Sequence, residues 1–217
     1  NAYIIDYLAE EVLQRQPSVV QDFLLQSSIL ERLCGALCDA VTGGNDSQQI
    51  LEQLQRANLF LIPLDSERRW YRYHHLFATA LRTRLQQSGT SQAHALHTRA
   101  SAWYAQHNLP SDAITHALAA NDAERAAQLI QAVADSLLKR GEHATLHSWL
   151  DRLPDAVIRH HPGLALVRAA NLVLADKADA ADDYLQAAEQ ALQAAPDPNL
   201  LGQVYSLRSR NAQRRNE

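Results

Sequence analysis

Between Asn58 and Leu85 the chain reads NLFLIPLDSERRWYRYHHLFATALRTRL, and within that stretch the spacing of apolar residues switches from one kind of regular structure to another. Leu59 to Leu64 and Trp70 to Tyr73 carry the branched and aromatic side chains that suit a pleated backbone. The polar DSERR between them supplies a hairpin turn. From His74 onward Leu76, Phe77, Ala80, Leu81 and Leu85 recur at helical spacing, with Arg82 and Arg84 on the solvated side. No other stretch carries so dense a signal.

The residues ahead of it read as helices. Tyr3 to Leu13 has a helical stripe that stops at Gln16-Pro17. Pro17 can open a second helix, because the amide it lacks would be unpaired there anyway, and Val19, Val20, Phe23 and Leu24 give that helix its apolar face. Ile29 to Val41 is read as a third helix, broken by Thr42-Gly43-Gly44-Asn45. Asp46 with Gln49 forms a capping-box pattern for a fourth. Helices, then strand, turn, strand and helix, is the element order of a winged-helix domain, assigned here to residues 1–88.

Beyond Gln86-Gln87-Ser88-Gly89-Thr90 the sequence is Ala-rich and helical throughout. Helices are expected over Ser91 to His107, Ser111 to Ala120, Asn121 to Arg140 (opened by an Asn121–Glu124 capping pair), Glu142 to Leu153, Gly163 to Ala175, Ala178 to Ala194 and from Leu200 onward. Consecutive helix pairs with small contact residues suggest a stacked solenoid, and Leu166 to Leu192 fits one tetratricopeptide-type pair. The expected fold class is mainly α: a winged-helix domain with a small β-hairpin, a helical arm over 89–160, and the start of TPR-like helical hairpins over 161–217. The Asn1-Ala2 start, the lack of Met and the uncapped last helix suggest an excised piece of a longer protein.

Charge weighs against nucleic-acid binding by this chain. Residues 1–88 hold eight Arg and no Lys against ten acidic residues, and 89–217 hold twelve basic against fourteen acidic, so neither half is basic. Arg68, Arg69, Arg72, Arg82 and Arg84 gather locally, but the helix from Asp46 to Asn58, at the recognition position, offers only Arg56. Two cysteines, Cys34 and Cys38, are too few for a disulfide framework and read as core thiols on one helix face, which suits a reducing, cytoplasmic setting. Nothing resembles a membrane span or a secretory leader.

Other chemistry-bearing residues point to little. His94 with His97, and His143 with His147 near Glu142, have helical spacing for a metal, yet neither forms HExxH and no further ligands follow. Asp151 with Asp155, and Asp182 with Asp183, read as solvated charges and not as a hydrolytic acid pair. Trp103, Tyr104 and Trp149 could line a groove in the arm, though packing between helices is the commoner use of such residues.

The runs FLLQSSIL (Phe23 to Leu30), LCDAVTG (Leu37 to Gly43), NLFLIPLD (Asn58 to Asp65), WYRYHHLF (Trp70 to Phe77) and AITHALAANDAERAAQLI (Ala113 to Ile130) resemble, in order, the large ATP-binding LuxR-type transcriptional regulators of the MalT class. That resemblance implies a signal-transduction ATPase: a P-loop module, a winged helix, a helical arm, a repeat-built sensor for a small-molecule or protein inducer, and a C-terminal DNA-binding domain. Neither GxxxxGK[ST] nor a DNA-binding segment of that type occurs here, so the chain is expected to have no catalysis and no cofactor of its own. ATP or ADP would belong to the parent protein. So would DNA contact, and assembly in the active state.

The wider class of such ATPases, including the NB-ARC proteins of plant immunity, carries a Met-His-Asp-like motif whose histidine reaches the phosphate of bound ADP. Tyr73-His74-His75-Leu76 resembles it and places His74 at the matching position, with His75 where the plant motif has an acid. Helix-start amides also favour an anion there. The plainer reading is that His74 or His75 caps the helix or packs on the wing. The chain as a whole is thus read as a regulatory module that passes a signal between nucleotide switch and sensor. The alternative is a free-standing helical-repeat adaptor for a protein partner.

Overall fold

The computed structural model describes residues 11–87 and 89–215, which fall into two compact units divided between Asn121 and Asp122. In the first unit the elements run α1 (Ser18–Ser27), α2 (Gly35–Thr42), α3 (Ser47–Arg56), β1 (Leu61–Pro63), β2 (Tyr71–Tyr73), α4 (His75–Gln87), α5 (Thr90–Gln106) and α6 (Pro110–Ala119). Most of the expected first helix, Tyr3 to Leu13, lies outside the described residues; its last three residues are described and lie in a helical stretch over 11–14. The hairpin and the helix that follows it form as expected, and α1 to α4 with the hairpin make up a winged helix.

The two strands pair antiparallel, with Leu61 opposite Tyr73, Ile62 opposite Arg72 and Pro63 opposite Tyr71. Alternation puts Leu61, Tyr71 and Tyr73 in the core and leaves Arg72 in solvent. Pro63 is tolerated because β1 lies at the sheet edge. Asp65 holds the turn: its carboxylate accepts from the amides of Arg69 (2.9 Å) and Trp70 (3.0 Å). Arg68 takes the left-handed conformation that the turn requires.

The third helix is shorter than its apolar spacing suggested. It starts at Gly35, not Ile29, because Leu33 is drawn into a bridge with β2: its amide donates to Tyr71 O (2.8 Å) and its carbonyl accepts from the Tyr71 amide (2.9 Å). A residue giving both backbone groups to a strand cannot also sit in a helix. Cys34 is therefore extended and precedes α2, so it does not share a helix face with Cys38. At Gly35 an added Cβ would come within 2.8 Å of Gln48 Cβ on α3, so only glycine permits this approach. The expected Asp46–Gln49 capping box does not form; Asp39, at the end of α2, accepts the Ser47 amide instead (3.0 Å). Gly43, left-handed at φ 80°, makes the turn that brings those helix ends together.

Asparagines do the same work elsewhere. Asn58, Asn108 and Asn121, just past α3, α5 and α6, all have positive φ, the conformation that ends a helix and that Asn accepts more readily than other side chains. Arg99 of α5 donates to Val41 O at the end of α2 (3.0 Å), which ties the α5–α6 pair to the winged helix within one unit.

In the second unit come α7 (Ala123–Lys139), α8 (His143–Leu150), α9 (Asp155–His160), α10 (Pro162–Leu174), α11 (Ala178–Ala194) and α12 (Pro198–Arg215). The expected Asn121–Glu124 cap is replaced: Asp122 accepts the Arg125 amide (3.0 Å), and Glu124 meets His161 Nε2 (2.8 Å). The core of α10 to α12 is Ala165, Leu166, Ala169, Leu185, Ala188, Leu192 and Val204. Its alanines let helices approach closely, as paired hairpins demand. Asn211 of α12 bonds the Ala178 carbonyl (2.9 Å) and Asp182 (2.8 Å), fixing the last helix against α11.

Candidate functional site

His74 sits where β2 becomes α4. Its amide donates to Phe60 O (2.7 Å), closing the hairpin, and its carbonyl accepts from Ala78 (3.0 Å), opening the helix. One residue thus belongs to both elements. Phe60, left-handed at φ 54°, stacks on Phe77 at 5.1 Å, and Tyr73 meets the same ring edge-on at 5.8 Å. The Tyr73 hydroxyl is buried against Ser27 Oγ of α1 (2.8 Å), which in turn donates to Phe23 O (2.6 Å). Burial pushes the phenol pKa well up, so it remains a neutral hydrogen-bonding group.

This backing leaves the His74 ring half-buried and the His75 ring exposed, 4.5 Å apart. The first turn of α4 contains no acidic residue, and its leading amides have no acceptor within the helix. The junction is suited to an anion. The nearby arginines are less so: Arg69 of the wing pairs with Glu67, and Arg32, ahead of α2, lies over the wing's Trp70 ring at 5.5 Å. On α3, Arg56 is paired with Glu52 (3.4 Å). Arg82, expected in solvent, is half-buried and donates from Nε to Ser28 O (2.7 Å), whereas Leu76, expected inside, is 37% exposed.

Several of the remaining candidates have structural partners. His97 pairs not with His94 but with His116 of α6, Nδ1 to Nδ1 at 2.8 Å, and His147 with Asn171 (2.8 Å). No cluster of three or more potential metal ligands occurs among the described residues. Asp151 pairs with Arg168 (2.7 Å). Asp155 accepts from Tyr184 and Arg159, which hold its carboxyl below the usual range. Burial pushes both thiols up, Cys38 far above the ordinary range, so neither is a ready nucleophile. Trp149 and Tyr104 are buried in helix contacts, and Trp103 stacks on His107 at 3.7 Å. Sequence reasoning missed His116, because its partner lies on another helix and no local spacing announces the pair. No helix among the described residues is long and apolar enough to cross a membrane.

The match to the family described as "MalT winged helix domain" covers residues 9–93, which contain the hairpin, its pinning residues and the His74 junction. These residues belong to the MalT winged helix domain family. The MalT likeness continues past the domain. Over 212 residues, 97% of this chain, the sequence is 33% identical to the "HTH-type transcriptional regulator MalT" of Klebsiella pneumoniae (strain 342), covering 23% of that protein. The "Serine/threonine-protein kinase PknK" of Mycobacterium tuberculosis (strain ATCC 25618 / H37Rv) is 34% identical over 172 residues, 79% of this chain and 16% of the kinase. Its Mycobacterium bovis counterpart matches to the same extent. The chain spans less than a quarter of the length of these curated relatives. The MalT-like segment is thus shared by proteins whose names describe different outputs.

Proposed function

We propose that this chain is the relay segment of a signal-responsive, ATP-dependent transcription activator, with no catalysis of its own. The observation that carries the reading is the MalT match, which includes the domain over 9–93 and extends at 33% identity across 97% of the chain. In this reading residues 1–88 dock on a nucleotide-binding module of the same protein, 89–160 act as the arm, and 161–217 begin TPR-like sensor repeats that meet a small-molecule or protein inducer. DNA is reached through a separate C-terminal domain, and the active protein assembles in the cytoplasm.

His74 is the proposed nucleotide contact. A neutral imidazole offers one N–H to a phosphate oxygen, and the orphan amides at the start of α4 favour the same negative charge. Because the His74 backbone closes the hairpin and opens α4, a phosphate held there biases both elements together. Inducer binding in the repeats would act by changing that docking, a rigid-body switch between two packed states. Reading the coding sequence upstream tests the proposal: a GxxxxGK[ST] P-loop preceding this segment is expected. An upstream sequence with no nucleotide-binding module contradicts the proposal and favours a free-standing helical adaptor.

A further inference from the structure

Where α4, α5 and α6 meet the turn after α1, the first unit has a half-open pocket of about 410 Å³, within the size range of small-molecule sites. Its polar wall is unusual in charge. Arg82 spends Nε on Ser28 O, and no ion pair joins its terminal nitrogens to a carboxylate among the described residues. Beside it lie His97 and His116, bonded to each other and stacked on Tyr104 at 5.3 Å through His116. Burial, the neighbouring imidazoles and Arg82 keep both rings uncharged, with pKa values lowered to about 4. The other charged groups at the wall do not neutralise Arg82: Asp112 is 3.8 Å from Arg32, and Glu31 is exposed at the turn.

A partly dehydrated guanidinium next to two neutral imidazoles is a charge waiting for a partner. An oxyanion would accept from the free guanidinium nitrogens and from an imidazole N–H. It would also offset the repulsion that keeps the histidines neutral. Leu85, Ala93 and Ala119 on the remaining wall suit an uncharged body larger than a bare phosphate. We propose that this cavity binds a small organic oxyanion, a phosphorylated or carboxylated metabolite, with Arg82 as its anchor and the His97–His116 pair as donors that take up a proton on binding. Such a ligand would clamp the α5–α6 pair to the winged helix, an effect independent of any nucleotide at His74.

Calorimetric titration of the 217-residue chain with citrate and with glucose 6-phosphate, and with glucose as the uncharged control, tests this. Saturable binding of at least one anion and none of glucose is expected, tighter at about pH 5.5 than at about pH 7.5 because binding takes up a proton. Arg82→Gln should weaken it at least about tenfold, the effect of one charge-assisted contact. Ring-nitrogen NMR of the unaltered protein gives a second readout that does not depend on the variant folding: the anion, and not glucose, should shift the His97 and His116 signals. The proposal fails if neither anion saturates, if folded Arg82→Gln binds as tightly as the parent chain, or if bound anion leaves both histidine signals unmoved.

Discussion

Phe77→Ala should cost the first unit about 3–5 kcal/mol, the usual effect of deleting a buried aromatic ring from a packed core. Phe77 is 2% exposed and takes two aromatic partners at once, Phe60 across the hairpin end and Tyr73 from β2. Its loss leaves a hole bounded by the wing on one side and α4 on the other. Through Tyr73 the loosening reaches Ser27 and α1. Domains of this size hold only about 5–15 kcal/mol in all, so the variant should lie close to its unfolding midpoint in mild urea. Leu76→Ala, one residue earlier but 37% exposed, is the control and should change stability by less than about 0.5 kcal/mol. Chemical denaturation of the two variants side by side decides the matter. Equal effects would mean that the aromatic contacts do not hold wing and helix together.

Acid should destabilise the same unit through His97 and His116. Two imidazoles facing each other Nδ1 to Nδ1 share one hydrogen; protonating one ring puts a charge beside Arg82, and protonating both leaves two N–H groups facing each other and breaks the bond. Their folded pKa values are about 4 against an ordinary 6.5, so on acidification the unfolded chain binds protons first. The pair's contribution is therefore complete above about pH 6.5 and is lost as pH falls toward 4, on the order of 3 kcal/mol when His97's partial exposure is discounted. Thermal melts at steps between these limits should show the fall. The double variant His97→Gln, His116→Gln should flatten it, and a slope that survives the double variant assigns the acid sensitivity to other groups.

The sequence made the hairpin and α4 legible because two periods meet at His74 and neither depends on distant residues. It misled at Ile29 to Cys34, where helical spacing of Leu30, Leu33, Cys34 and Leu37 concealed a bridge from Leu33 to Tyr71, thirty-eight positions later. Helix starts were misplaced for a related reason. Asp46 and Asn121 looked like local caps, but Asp39 reached across from another helix, and Asn121 was needed in the left-handed conformation that ends α6. Within the candidate sites, His74 could be found from four consecutive residues. The Arg82–His97–His116 grouping could not, since each of its members lies on a different helix and comes together only through packing.

In the proposed relay, His74 faces a phosphate at the strand-to-helix junction and couples this segment to a nucleotide. ADP affinity, measured by calorimetry in the longer protein that carries this segment, tests it most directly when His74→Ala is compared with the parent and with His75→Ala. About tenfold weaker ADP binding and raised basal activity are expected for His74→Ala, the loss of one hydrogen bond to a charged partner, with His75→Ala closer to the parent. Unchanged ADP affinity and basal activity in a folded His74→Ala protein would contradict it.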